Sequence, residues 1–85
     1  MHPILADFLR TELRDGARLG ERLLADIDDI RTGRRETGGM TGNLYTVSLT
    51  AGGALIENLF DETQRLELDL GTLSDAVRAR RSGSS

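Results

Sequence analysis

The spacing of apolar residues changes once along this chain, and that change limits the folds open to it. Up to residue 31 the apolar residues recur at helical intervals. Leu5, Leu9 and Leu13 are four apart with Phe8 beside them, and Leu19, Leu23, Leu24, Ile27 and Ile30 continue the stripe. From residue 43 the period becomes two. Tyr45, Val47 and Leu49 alternate with Leu44, Thr46 and Ser48, and Leu66, Leu68 and Leu70 alternate with Glu67 and Asp69. A chain that begins with period 3.6 and goes on with period two is α+β, with one face of a sheet packed on helices.

Pro3 suits a first helical turn, and the helical pattern spans residues 3–31, with Gly16 and Gly20 as points where it kinks or divides. Residues 32–42 contain Gly33, Gly38, Gly39 and Gly42 without an apolar period and read as a linker. Gly52-Gly53 separates two apolar-rich runs, 43–49 and 54–60, as a two-residue hairpin turn. This turn sets Leu49 against Ile56, Val47 against Asn58 and Tyr45 against Phe60. A five-residue loop, 61–65, then brings strand 66–70 onto the same face. Thr72 caps a last helix, 73–81, with Asp75 as its capping-box acid. The expected order is α-β-β-β-α, with a three-stranded antiparallel meander. Residues 1–81 form a single small domain and 82–85 a disordered tail.

Composition removes several chemistries. The 85 residues contain no cysteine, and the single histidine is His2. Disulfides, thiolate zinc sites, cysteine nucleophiles and a Ser–His–Asp triad are thereby disfavoured. No apolar run approaches the ~20 residues of a membrane span, and no signal peptide opens the chain, so the reading is cytoplasmic with no membrane partner. Charge is 11 basic against 14 acidic residues, net −3, and every basic residue is Arg. Residues 41–77 carry only Arg65 against Glu57, Asp61, Glu62, Glu67, Asp69 and Asp75. With Phe8, Tyr45 and Phe60 as the sole aromatics, general nucleic-acid binding is disfavoured.

The expected register places Glu57 opposite Asp69 and Glu67 diagonal to both, with Asp61 and Glu62 extending the patch. Like charges directly opposite cost a few tenths of a kcal/mol, so such a cluster is tolerated where a basic partner uses it. Leu44, Leu55 and Leu59 fall on the same outer face. Apolar area mixed with acid is the composition of a protein-binding surface; a solvated face with scattered leucines is the plainer reading. Asp26, Asp28 and Asp29 read as a solvated helix face rather than a cation site, because a helix splits them between sides. Arg10, Arg14, Arg18 and Arg22 form a stripe largely neutralised by Asp7, Asp15 and Asp26. Asn58 reads as a strand-end polar residue satisfied by backbone. The glycines of 38–42 lack the lysine and spacing of a phosphate loop. The one acid–base pair, Glu57 and Asp69, has nothing to raise a pKa. No catalytic, metal-binding or cofactor-binding residue is assigned.

The order of Leu-Leu-Ala-Asp-Ile at residues 23–27, a polar linker, Gly42-Asn43-Leu44-Tyr45-Thr46-Val47, the Ile56/Asn58 strand and Leu66-Glu67-Leu68 before a closing helix resembles the YacL-like group of small bacterial proteins. The likeness spans roughly residues 19–81. It implies a small cytosolic bacterial protein of uncharacterised function, with no catalytic residues to carry over. The residues themselves lead to a small acidic non-enzymatic protein-binding module, in the manner of an immunity or inhibitor protein of bacterial or phage origin that masks a basic partner. The alternatives are a homodimeric structural protein and, more remotely, a nucleic-acid-linked regulator acting through its arginines.

Overall fold

A computed structural model describes the backbone of residues 2–13 and 17–83, with side chains except at Ala17 and residues 81–83. Seven elements follow in order: α1 Pro3–Glu12, α2 Ala17–Arg31, β1 Thr37–Thr41, β2 Tyr45–Thr50, β3 Gly53–Asn58, β4 Arg65–Leu68 and α3 Leu70–Gly83. The sheet is antiparallel with strand order β1-β2-β3-β4. The α+β class stands as expected.

The helical pattern of residues 3–31 is two helices. His2 caps α1, its Nδ1 accepting from Ile4 N at 3.1 Å, and Pro3 occupies the first turn, where a missing N–H costs nothing. Of the two expected breaks, Gly16 lies outside the described residues, and Gly20 stands inside α2 without dividing it. Leu5, Phe8, Leu9 and Leu13 of the first segment, Leu23, Ile27 and Ile30 of α2, and Leu70, Leu73, Ala76 and Val77 of α3 enclose Tyr45, Val47, Leu49, Ala54 and Ile56. Each fully buried large side chain contributes about 1.5–3 kcal/mol. This shared core puts the helices on one side of the sheet.

The expected linker 32–42 is corrected: residues 37–41 form β1, an edge strand paired with β2. A strand of Thr-Gly-Gly-Met-Thr shows no alternation because two of its positions lack side chains. Only Met40, opposite Val47, marks its inner face. Gly39 has φ +135°, and a Cβ there would collide with the Val47 carbonyl oxygen. Glycine is thus what allows β1 to lie against β2.

The hairpin register is corrected by two residues. Ala51 and Gly52 are the turn, Thr50 pairs with Gly53, and Leu49, Val47 and Tyr45 face Ala54, Ile56 and Asn58. Thr50 Oγ1 accepts from Gly52 N at 3.2 Å inside the turn. Gly53 (φ +141°) is spent in the strand, where a Cβ would sit 2.8 Å from Leu68 O. A slip of two leaves every side chain on its expected face, so alternation fixes register only to within that step.

The same slip removes Phe60 from the sheet, and it is 78% exposed rather than packed against Tyr45. Asn58 ends the strand as a backbone-satisfied residue, its Oδ1 accepting from Phe60 N at 2.8 Å and Asp61 N at 3.0 Å. β4 starts and ends earlier than the expected 66–70. The last helix begins at Leu70 rather than 73, and Asp69 rather than Thr72 caps it, with Oδ1 accepting from Thr72 N at 2.6 Å. That helix runs to Gly83, into the expected tail. Ser84 and Ser85 lie outside the described residues.

Candidate functional site: the uncovered sheet face

The side chains that point away from the helices are Thr37 and Thr41 of β1, Thr46, Ser48 and Thr50 of β2, Leu55 and Glu57 of β3, and Arg65 and Glu67 of β4. The threonines of β1 and β2 are β-branched, which suits a pleated surface exposed to water. Pairing continues past the strand ends: Leu59 N donates to Leu44 O at 2.8 Å, setting these leucines side by side on the same face. They are 43% and 37% exposed. A shallow cleft of about 510 Å³ opens on this face around Gly53 and Leu55, walled by Ser48, Thr50 and Glu67.

Five of the eight residues expected to form the surface therefore share it: Leu44, Leu55, Glu57, Leu59 and Glu67. Asp61 and Glu62 lie on the loop after β3, beyond Leu59. Asp69 does not join them. It sits at the far end of β4 as the cap of α3. The expected Glu57–Asp69 apposition is thus corrected: Glu57 faces Arg65, and Glu67 faces Leu55. Arg65 Nη2 is 4.0 Å from Glu67 Oε1, and Arg65 is also the register partner of Glu57. The face is acidic but not a cluster of unopposed charge.

Electrostatics elsewhere serve the fold. Hydrogen bonds from Thr63 to Asp61, and from Thr72 to Asp69, hold both carboxyls below the ordinary aspartate value. Tyr45 OH donates to Asp7 Oδ2 at 2.5 Å, and Arg10 pairs with the other oxygen; these bonds lower Asp7 in the same way. Burial first, then the bond to Asp7, raises the Tyr45 phenol. Tyr45 also packs edge-on against Phe8, ring centroids 6.1 Å apart. A buried strand tyrosine needs a partner for its hydroxyl, and that requirement was the available signal for Asp7.

The acidic run of α2 is only partly a solvated face. Asp26 is buried, accepts from Arg35 Nη1 at 2.9 Å, and its Oδ2 lies 3.5 Å from Gly39 N. Its partner is thus Arg35 rather than Arg22. Asp29 pairs with Arg34, while Asp28 is exposed. Among the described residues no group of three or more acids and histidines is placed to hold a metal ion. Within the arginine row, Arg14 and the neighbouring Asp15 lie outside the described residues. Glu12 was missed in the sequence. Its carboxylate accepts from Asn43 N at 2.9 Å and Leu44 N at 2.8 Å, tying α1 to the β1–β2 turn beside the exposed Leu44. No helix among the described residues is long and apolar enough to cross a membrane.

No family model matches the chain, and no curated protein or solved structure is significantly similar to it.

Proposed function

We propose that this chain is a non-enzymatic protein-binding module that presents its uncovered sheet face to a basic protein, as an immunity or inhibitor protein masks its target. One observation carries the reading. The helices all pack on one side of the sheet, while the other side holds the exposed pair Leu44 and Leu59 with Leu55, Glu57 and Glu67 beside them. Exposed leucines next to acids supply both parts of an interface, area to desolvate and charge to steer association. The acids Asp61 and Glu62 lie at its rim, next to the exposed Phe60.

The test is a pull-down from source-cell lysate with wild-type protein and with Glu57→Lys/Glu62→Lys, washed at low and high salt. Wild type retains one basic protein in stoichiometric amount, and the variant or the high-salt wash loses it. Retention of that protein by the folded variant, or its absence from both, overturns the reading.

A further inference from the structure

The edge of the sheet at β4 has a feature that the face does not use. Asn58 N donates to Gln64 O at 2.9 Å, and this bond sets the phase of the β3–β4 ladder. In an antiparallel ladder, residues alternate between pairs that exchange hydrogen bonds and pairs that do not. Counting from Asn58–Gln64, Ile56–Leu66 and Ala54–Leu68 are bonded pairs, and Glu57–Arg65 and Leu55–Glu67 are not. The backbone N–H and C=O groups of Arg65 and Glu67 therefore point away from β3, toward the open edge.

Proteins ordinarily guard such an edge by keeping it short, or with charged side chains, proline, a bulge, an inward charge or a covering element; β4 is short and charged, but its two charges are opposite in sign, so a second copy can pair with them. β4 reads Arg-Leu-Glu-Leu with both charges on the outer face. On its inner side a groove of about 450 Å³ lies between the strand and the helices, with Leu5, Leu66, Leu68 and Ala76 in its walls. Leu66 and Leu68 are only half-buried.

We propose that two copies of this chain pair through β4, antiparallel and two-fold about Leu66, so that their sheets become continuous. The register follows from the charges. Centred on Arg65 the pairing opposes arginine to arginine, and centred on Glu67 it opposes glutamate to glutamate. Centred on Leu66 it sets Arg65 of each copy opposite Glu67 of the other. Those are also the residues whose backbone groups face outward, so the two Arg65–Glu67 pairs are the hydrogen-bonded ones. Leu66 meets Leu66 as the close, non-bonded pair on the inner side, where the two grooves join. Ladder phase, charge and apolar position all select the same register. The contact is short, which places its dissociation constant at roughly micromolar or weaker.

Sedimentation velocity and light scattering from about 5 to about 500 µM test the pairing. Wild type shifts from monomer to dimer mass across that range. Glu67→Arg and Arg65→Glu each oppose like charges twice, and each weakens association by about tenfold or more. Mixed in equal amounts the two variants are complementary again, and dimer mass returns. Circular dichroism confirms that each is folded, with Glu67→Gln as the milder substitute. Glu57→Lys/Glu62→Lys leaves the dimer intact, so failure here is distinguishable from failure of the proposed partner site. A wild type that stays monomeric at the top of the range overturns the inference. So does a single variant that associates as tightly as wild type, or a mixture that stays monomeric.

Discussion

The two edges of this sheet are finished differently. At β1 the strand is closed down from within. Asp26 reaches from α2 to Arg35 and toward Gly39 N, and Gly39 adopts a conformation that side chains rarely take so that its backbone can lie against Val47. At β4 no comparable side-chain bond from a helix holds the strand among the described residues, and its side chains simply alternate. One edge depends on particular residues for its existence, the other on a pattern. Substitutions at β1 are therefore felt in stability, and substitutions at β4 in association.

The largest expected effect is at Gly39. Gly39→Ala both strains the backbone and drives a Cβ into the Val47 carbonyl, with a cost of about 3 kcal/mol or more. Urea denaturation should show a marked fall in midpoint, or no folded baseline. By contrast, Glu67→Arg on β4 should leave monomer stability within about 0.5 kcal/mol. Equal losses at the two positions would remove the distinction between the edges.

Asp26→Ala is expected next, at about 1–3 kcal/mol, since it deletes a buried acceptor and leaves Arg35 without its partner. Arg35 is half exposed, which keeps the loss toward the lower end. Asp26→Asn retains an acceptor and should lose less. Amide exchange sharpens the result: protection in Thr37–Thr41 should fall before protection in β3. Uniform loss across the sheet would mean that Asp26 supports the core rather than this edge.

This contrast also explains what could be read from the sequence. The α+β class, the inner residues of β2 and β3 and the apolar stripes of the helices are visible because burial imposes a period, and period survives in sequence. β1 was not visible. What makes it a strand is Asp26 from elsewhere in the chain and two glycines whose value lies in missing side chains. Register was half visible, since a slip of two keeps Leu55, Glu57 and Glu67 facing outward while exchanging their neighbours. In the β3–β4 pairing the slip is four, again face-preserving, and it changed the site: it replaced the expected Glu57–Asp69 repulsion with Glu57 opposite Arg65, and freed Asp69 to cap α3. The Glu12 and Asp7 anchors left no signal of period at all, being single side chains that meet residues more than 30 positions away.

The smallest expected effect is the response to acid, and it falls on the β4 side. Asp61, at the loop that leads into β4, and Asp69, at the strand's exit, are both held below the ordinary aspartate value by hydrogen bonds to Thr63 and Thr72. Asp7 is lowered by Tyr45 and Arg10. A carboxyl whose pKa is depressed in the folded state contributes in full above the unfolded value of about 3.9 and loses that contribution as pH falls through the folded value. Urea midpoints should therefore be level between about pH 7 and pH 5 and decline below about pH 4. Asp61 and Asp69 are exposed and Asp7 is only half-buried, so water screens them and the decline is shallow. Amide exchange at pH 3 should open Thr63 and Thr72 ahead of Gly38 and Met40, the β1 amides that face β2. If the midpoint already falls between pH 7 and pH 5, groups other than these three set the acid limit. If β1 opens first at pH 3, the pinned edge is the weaker of the two, and the contrast between them is reversed.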